Sequence, residues 1–131
     1  MDTTTQSLSG VVNQKGLEGE TLALEYLEQQ GLALVQRNYR CKLGEIDLIM
    51  RDKGTLIFVE VKLRKSDTFG SAAAMVTHAK QKKLLKAARH FMMCHPATAQ
   101  YTIRFDVVGI TQSKRTCPID WIQHAFTGSV F

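Results

Sequence analysis

The chain has 131 residues, 44% of them hydrophobic, the size of one ordinary globular domain that buries a core without disulfide or metal staples. Its 17 Lys and Arg against 12 Asp and Glu give a net charge of +5 and a pI near 9.3, a balance that suits a polyanionic partner, nucleic acid foremost. No apolar run reaches the roughly 18 residues of a membrane helix and the start lacks the basic and apolar segments of a signal peptide, while Cys41, Cys94 and Cys117 show no CxxC spacing; the expectation is a cytoplasmic protein with free thiols and no membrane contact.

Residues 1 to 12 are rich in Thr, Ser and Gly and read as a flexible tail ahead of a single domain over 13–131. From Asn13 to about Gln30 the pattern is helical, with Asn13 as N-cap and Gly31 as a left-handed stop. At about 100° per residue Leu17, Ala23, Leu24 and Leu27 share one stripe. Glu20 falls in the middle of that stripe, whereas Glu18 and Glu25 lie outside it. Three strands are predicted next: "LALVQRNY" from Leu32, "EIDLIM" from Glu45 and "TLIFVEVKL" from Thr55. Between the last two, "RDKG" supplies the turn residues Asp52 and Gly54, so they form a hairpin. A loop containing Gly and Ser leads to a second helix, "THAKQKKLLKAARHFMMC", capped by Thr77 and ended before Pro96. Leu84, Ala88 and Phe91 make its apolar side, flanked by Leu85 and Met92; Lys82, Lys83, Lys86 and Arg89 make its polar side. "YTIRFDVVGI" and "DWIQHAF" complete the order αβββαββ, an α/β chain.

The hairpin raises the chemical question. A loop of even length sets Asp47 opposite Glu60 and Glu45 opposite Lys62, all on one side, with opposed Cβ atoms about 4.5 to 5.5 Å apart. An odd loop destroys the arrangement. Carboxylates placed so repel each other unless a cation lies between them, and a hard ion such as Mg²⁺ or Mn²⁺ takes one or two carboxylates while retaining waters. Lys62 then stands where an ammonium orients an attacking water or offsets charge growing on a phosphate. The competing reading is a pair of ion pairs on a wet sheet face, a common pattern. Two residues elsewhere count against it. Glu20 occupies a core-facing position that is costly for an unpaired acid, and Lys80 projects with Leu84 and Phe91 rather than with the other lysines, although a snorkelling side chain explains that equally.

The segments "GLEGETLALEYL", "NYRCKLGEIDLIM" and "LIFVEVKLR" resemble the YraN-like family of small bacterial proteins, which is similar to the PD-(D/E)xK nuclease superfamily and, within it, to the archaeal Holliday junction resolvases. The likeness runs from Lys15 to the C-terminus and includes "FG" at Phe69, "RFDVV" from Arg104 and the closing "HAF". It implies a restriction-endonuclease-like αβββαβ core, a mixed central sheet flanked by helices. It also implies a nuclease centre at Glu20, Asp47, Glu60 and Lys62, with Lys80 as an auxiliary lysine and the backbone carbonyl of Val61 joining Glu20, Asp47 and Glu60 as metal ligands. The superfamily's Pro before the first Asp is replaced by Ile46, which touches none of the ligands. The implied activity is Mg²⁺- or Mn²⁺-dependent endonuclease-like hydrolysis of DNA phosphodiesters, on branched or junction DNA in recombination or repair.

Phosphate-binding candidates are Arg37, Arg40, Lys42 and Arg64 near the hairpin and Lys82, Lys83, Lys86 and Arg89 on the second helix; an ordinary solvated helix face is the plain alternative for the latter. A homodimer is allowed, since two symmetric cuts need two sites, but no dimer surface shows in the sequence. Two rival functions stay open: a catalytically inactive nuclease-fold module that binds nucleic acid or a protein, and an interaction protein whose acids form only ion pairs. His90 and Cys94, one turn apart beside His95, offer part of a zinc site without a second ligand pair. Arg104 and Asp106 are expected to pair, Phe58, Phe105 and Trp121 to be core, and His78 and His124 to be surface or packing residues.

Overall fold

The computed structural model describes residues 14–65, 76–112 and 118–128. The expected tail, the Asn13 cap, the Leu17 side chain, Phe69 and Cys117 lie outside the described residues. Helix α1 spans Gln14–Gln29 and stops where glycine permits a left-handed turn. Gly31 has φ 99°, the Leu32 N–H bonds the Leu27 carbonyl at 3.1 Å and the Gly31 N–H the Glu28 carbonyl at 3.0 Å; this pair of bonds is a Schellman cap. Strands β1 (Ala33–Cys41), β2 (Gly44–Asp52) and β3 (Thr55–Arg64) follow, then α2 (His78–Cys94), a 3-10 turn (Pro96–Gln100), β4 (Thr102–Thr111) and β5 (Ile119–Phe126).

The sheet order is β1-β2-β3-β4-β5. β1, β2 and β3 form an antiparallel meander, β3 and β4 run parallel across the α2 crossover, and β4 and β5 are antiparallel. This mixed sheet with two helices is the restriction-endonuclease-like αβββαβ core that the sequence predicts, extended by β5 at one edge. β1 ends two residues later than expected because Arg40 and Cys41 pair with Glu45 and Gly44, leaving Lys42 and Leu43 as the loop. The 3-10 turn after α2 was not legible; it begins at Pro96, whose fixed φ suits the first position of a helical turn.

Period-two strands and amphipathic helices give the sheet two dry faces. On one, Ala23, Leu24 and Leu27 of α1 cover Leu48, Met50, Ile57, Val59, Val108 and Ile110. On the other, Leu84, Ala88 and Phe91 of α2 cover Ile49, Phe58, Phe105 and Val107. Full burial of each such Leu, Ile or Phe contributes about 1.5–3 kcal/mol, and β3 is buried on both faces, which makes it the fixed reference of the fold. Arg104 and Asp106 pair as expected, through two bonds of 2.9 Å. The wholly buried Asp106 also accepts from Trp121 Nε1 at 2.9 Å and from the His124 N–H at 3.1 Å. Four donors satisfy that carboxylate and tie β5 to β4.

Candidate active site

β2 and β3 join through the tight loop Lys53–Gly54, with Lys53 at φ 56°, and their ladder runs from Asp52↔Thr55 to Leu48↔Val59. The loop is even, so the register is the one that aligns Asp47 with Glu60. The ladder ends there. On the other side β1 pairs Arg37 with Leu48 and then Tyr39 with Ile46, skipping Asn38 and Asp47. Asn38 sits at φ 54°, a value asparagine tolerates better than most residues. Face alternation breaks at this point: Leu48 packs toward α1, whereas Ile46 and Ile49 both pack toward α2. Asp47 thus stands at a fork where neither neighbouring strand holds its backbone. Its Oδ2 accepts the Val61 N–H at 2.8 Å. An extended residue turns its N–H and C=O to the same side, so the Val61 carbonyl opens toward Asp47 as well.

Glu60 is 5% exposed. Lys62 Nζ and Lys80 Nζ stand 3.8 and 3.7 Å from the same oxygen, Oε2. Burial, and then the charge of Asp47, nevertheless outweigh both lysines and push the Glu60 carboxyl up to about 7. Asp47 is raised too, by burial above all, against the Val61 N–H and the charge of Lys80. A hydrogen bond links the two carboxyls, so the pair takes up and loses protons as a coupled unit, held above the ordinary carboxylate range by burial. From α1, Glu20 brings a third carboxyl, raised by burial and by Asp47 and lowered by Arg37 and a bond to Asn38. Its Oε1 is buried without a hydrogen-bond partner, Arg37 Nη2 standing 3.8 Å off.

The fold therefore brings Glu20, Asp47, Glu60, Lys62 and Lys80 to one end of the sheet, with the Val61 backbone between them. Glu45 does not face Lys62; the lapse of the ladder leaves it exposed, 3.4 Å from Arg40. Arg64 was expected to meet phosphate but is buried, bonded through Nη2 to Asp120 at 3.0 Å and through Nε to Thr111 at 3.2 Å. Arg37 likewise turns inward, to Glu20 and to Thr21 Oγ1 at 3.2 Å. Sequence reading missed the inward turn of Arg37 and the bond from Asn38 to Glu20; an asparagine inside a strand pattern was the available signal. Lys82, Lys83, Lys86 and Arg89 are exposed on α2. Arg40, Lys42, Lys80 and Lys83 line an open groove of about 520 Å³ with Cys41, Leu43, Gly44 and Glu45.

The donor set suits a hard divalent ion better than a soft one. Among the described residues no three His, Cys, Asp or Glu side chains stand ready to enclose a metal, yet Mg²⁺ needs only one or two carboxylates beside its waters. Two carboxyls in contact and an orphaned buried Glu20 oxygen fit that requirement. For the zinc alternative, His90 Nδ1 is bonded by the Tyr39 hydroxyl and lies 3.9 Å from Cys94 Sγ, and among the described residues no third His, Cys, Asp or Glu joins them.

Fold and site together define an α/β protein with a restriction-endonuclease-like core and a buried carboxyl cluster at the fork of its hairpin. Residues 19–110 match the family described as Uncharacterised protein family UPF0102, and the chain belongs to that family, the one to which the YraN-like segments point. It is similar to a UPF0102 protein of Saccharophagus degradans, 51% identical over 115 residues that cover 88% of this chain and 94% of the relative. It is also similar to a UPF0102 protein of Nitrosomonas europaea, 47% identical over 115 residues, 88% of this chain and 95% of the relative. A third, from Legionella pneumophila, is 44% identical over 116 residues, 88% of this chain and 97% of the relative. No helix among the described residues is long and apolar enough to cross a membrane.

Proposed function

We propose that this protein is a metal-dependent, cytoplasmic nuclease that hydrolyses DNA phosphodiester bonds at the Asp47–Glu60 centre. The observation that supports it most is the fork itself: two buried carboxyls in contact, with two lysines on one of their oxygens. Once both carboxyls are charged their repulsion costs the fold, and a divalent cation held between them would offset that cost. Asp47, Glu60, the Val61 carbonyl and, directly or through water, Glu20 would hold Mg²⁺ or Mn²⁺. When bound, the ion supplies Lewis-acid stabilisation of the charge that grows on the phosphate.

The chain's own groups do the rest. Lys62, half-buried beside Glu60, positions the attacking water and takes up its charge, and Lys80 holds Glu60 from the helix side and reaches the groove. Arg40, Lys42 and Lys83 bind phosphates along that groove, and the exposed Lys82 and Lys86 extend the basic surface for a longer substrate.

One observation favours the rival reading of an inactive nuclease-fold module: Lys62 and Lys80 already offset the charge of Glu60 without a metal. Cleavage of labelled single-stranded, duplex, flap and four-way DNA in Mg²⁺ or Mn²⁺ separates the two. Cutting by the native chain that vanishes in folded Asp47→Ala and Glu60→Ala is the expected result. Full activity in either variant overturns this site, and binding without cutting in the native chain transfers the assignment to the module.

A further inference from the structure

Leu43 is 49% exposed at a position where hairpin loops carry Gly, Asn or Asp. It shares its groove with Arg40, Lys42, Lys80 and Lys83, so a large apolar side chain stands among four cations. The tip has a firm base. A Cβ on Gly44 would lie 2.9 Å from the Lys83 carbonyl, which places the β1–β2 loop hard against the α2 backbone. Lys80 belongs to both places, lining the groove while its Nζ lies 3.7 Å from Glu60 Oε2. Lys80 is thus the residue that the groove lining and the carboxyl cluster share.

Its occupant follows from charge, size and the one apolar contact. Four cations call for a string of phosphates. At about 520 Å³ the groove falls within the roughly 300–1,000 Å³ of a small-ligand site, room for one or two nucleotides of a strand. Leu43 has no use for a phosphate and suits the face of a base, which is reachable there only if the base is unpaired or its stack is opened. Arg40 pairs with Glu45 at 3.4 Å, with both side chains at least half exposed. Such a pair is worth ~0–1 kcal/mol, so a phosphate readily replaces it.

We infer that this groove takes an unpaired stretch of DNA strand, with Leu43 packing against a base and Arg40, Lys42 and Lys83 holding the phosphates that lead to the Asp47–Glu60 centre. The inference rests on the nuclease reading for its direction, but its test does not depend on cleavage. Fluorescence anisotropy in EDTA compares a short single-stranded oligonucleotide, a blunt duplex and a duplex with a single-stranded arm, the arm carrying 2-aminopurine as a stacking reporter.

The native chain is expected to bind the single strand and the armed duplex at least tenfold more tightly than the blunt duplex. Leu43→Ala is expected to weaken both by about tenfold and to abolish the 2-aminopurine response, with the circular dichroism spectrum unchanged because the side chain is exposed. Lys42→Ala with Lys83→Ala is expected to weaken binding while the residual 2-aminopurine response persists at saturation. Equal binding of all three DNAs, or a Leu43→Ala chain that binds and reports like the native one, overturns the inference. If these binding results hold and no DNA is cut in Mg²⁺ or Mn²⁺, the nuclease reading falls alone; if cutting occurs while Leu43→Ala binds normally, the groove assignment falls alone.

Discussion

Glu60 keeps its proton to about pH 7 because burial and the charge of Asp47 outweigh Lys62 and Lys80. Its folded-state value lies above the ordinary 4.5, so the folded chain binds more protons than the unfolded one between these limits. The stability linked to that proton is fully present below pH 4.5 and is lost as pH rises through about 7. Thermal melts in EDTA should therefore show the native chain losing on the order of 2–3 kcal/mol across this window, at about 1.36 kcal/mol per unit. Glu60→Gln should flatten the loss, and Mg²⁺ should restore stability on the alkaline side, where the carboxylates are bare. Asp106 provides the contrast. It is as buried as any residue in the chain but meets four donors, so Asp106→Ala strands Arg104 and should cost about 3–5 kcal/mol. Metal-free Asp47→Ala, which removes a repulsion, should melt at or above the native temperature. A denaturant series on the two variants distinguishes an acid kept for the fold from one held at the fold's expense.

At the scale of elements, the helices, the hairpin register and the caps were legible because each rests on local chemistry. Gly31 stops α1, Thr77 Oγ1 accepts the Lys80 N–H at 3.2 Å to start α2, and a tight loop at Lys53–Gly54 fixes which residues of β2 and β3 align. What escaped the sequence depends on where strands part. The lapse of pairing at Asn38 and Asp47 follows from a left-handed residue and a side-chain bond to the Val61 N–H, and no alternation pattern announces either. The same lapse sends Glu45 to Arg40 instead of Lys62. Arg64 was misplaced because a basic residue at a strand end looks solvated until β5 brings Asp120 beside it. The seat of the β1–β2 loop on α2 is also non-local, and it yields a test. In Gly44→Ala the added Cβ meets the Lys83 backbone oxygen at 2.9 Å, which cannot swing away as a side chain can. The variant should lose about 1–3 kcal/mol by overpacking, read as a lower urea midpoint at unchanged slope, and should bind single-stranded DNA less tightly because the groove wall has moved.

For the whole molecule the question is how a net charge of +5 is deployed. Arg64, Arg37 and Arg104 are paired with Asp120, Glu20 and Asp106, so these arginines are already engaged with acids of the protein itself. Arg40, Lys42, Lys80 and Lys83 line the groove, and Lys82 and Lys86 are exposed on the helix that carries Lys80 and Lys83. Counterion release turns this division into a measurable slope. Three phosphates held by Arg40, Lys42 and Lys83 should give a dependence of log affinity on log salt of about −2.1 for a short single strand, at about −0.7 per phosphate. Lys42→Ala with Lys83→Ala should reduce its magnitude by about 1.4. Lys82→Ala with Lys86→Ala should leave the slope for the short strand unchanged and reduce it only for DNA with a duplex arm, because those lysines reach phosphates beyond the groove. An identical reduction for both substrates in both double variants would mean a diffuse basic face with no track. A difference between them means that the loop tip and the helix act as one track whose inner part takes the single strand and whose outer part steadies the duplex arm.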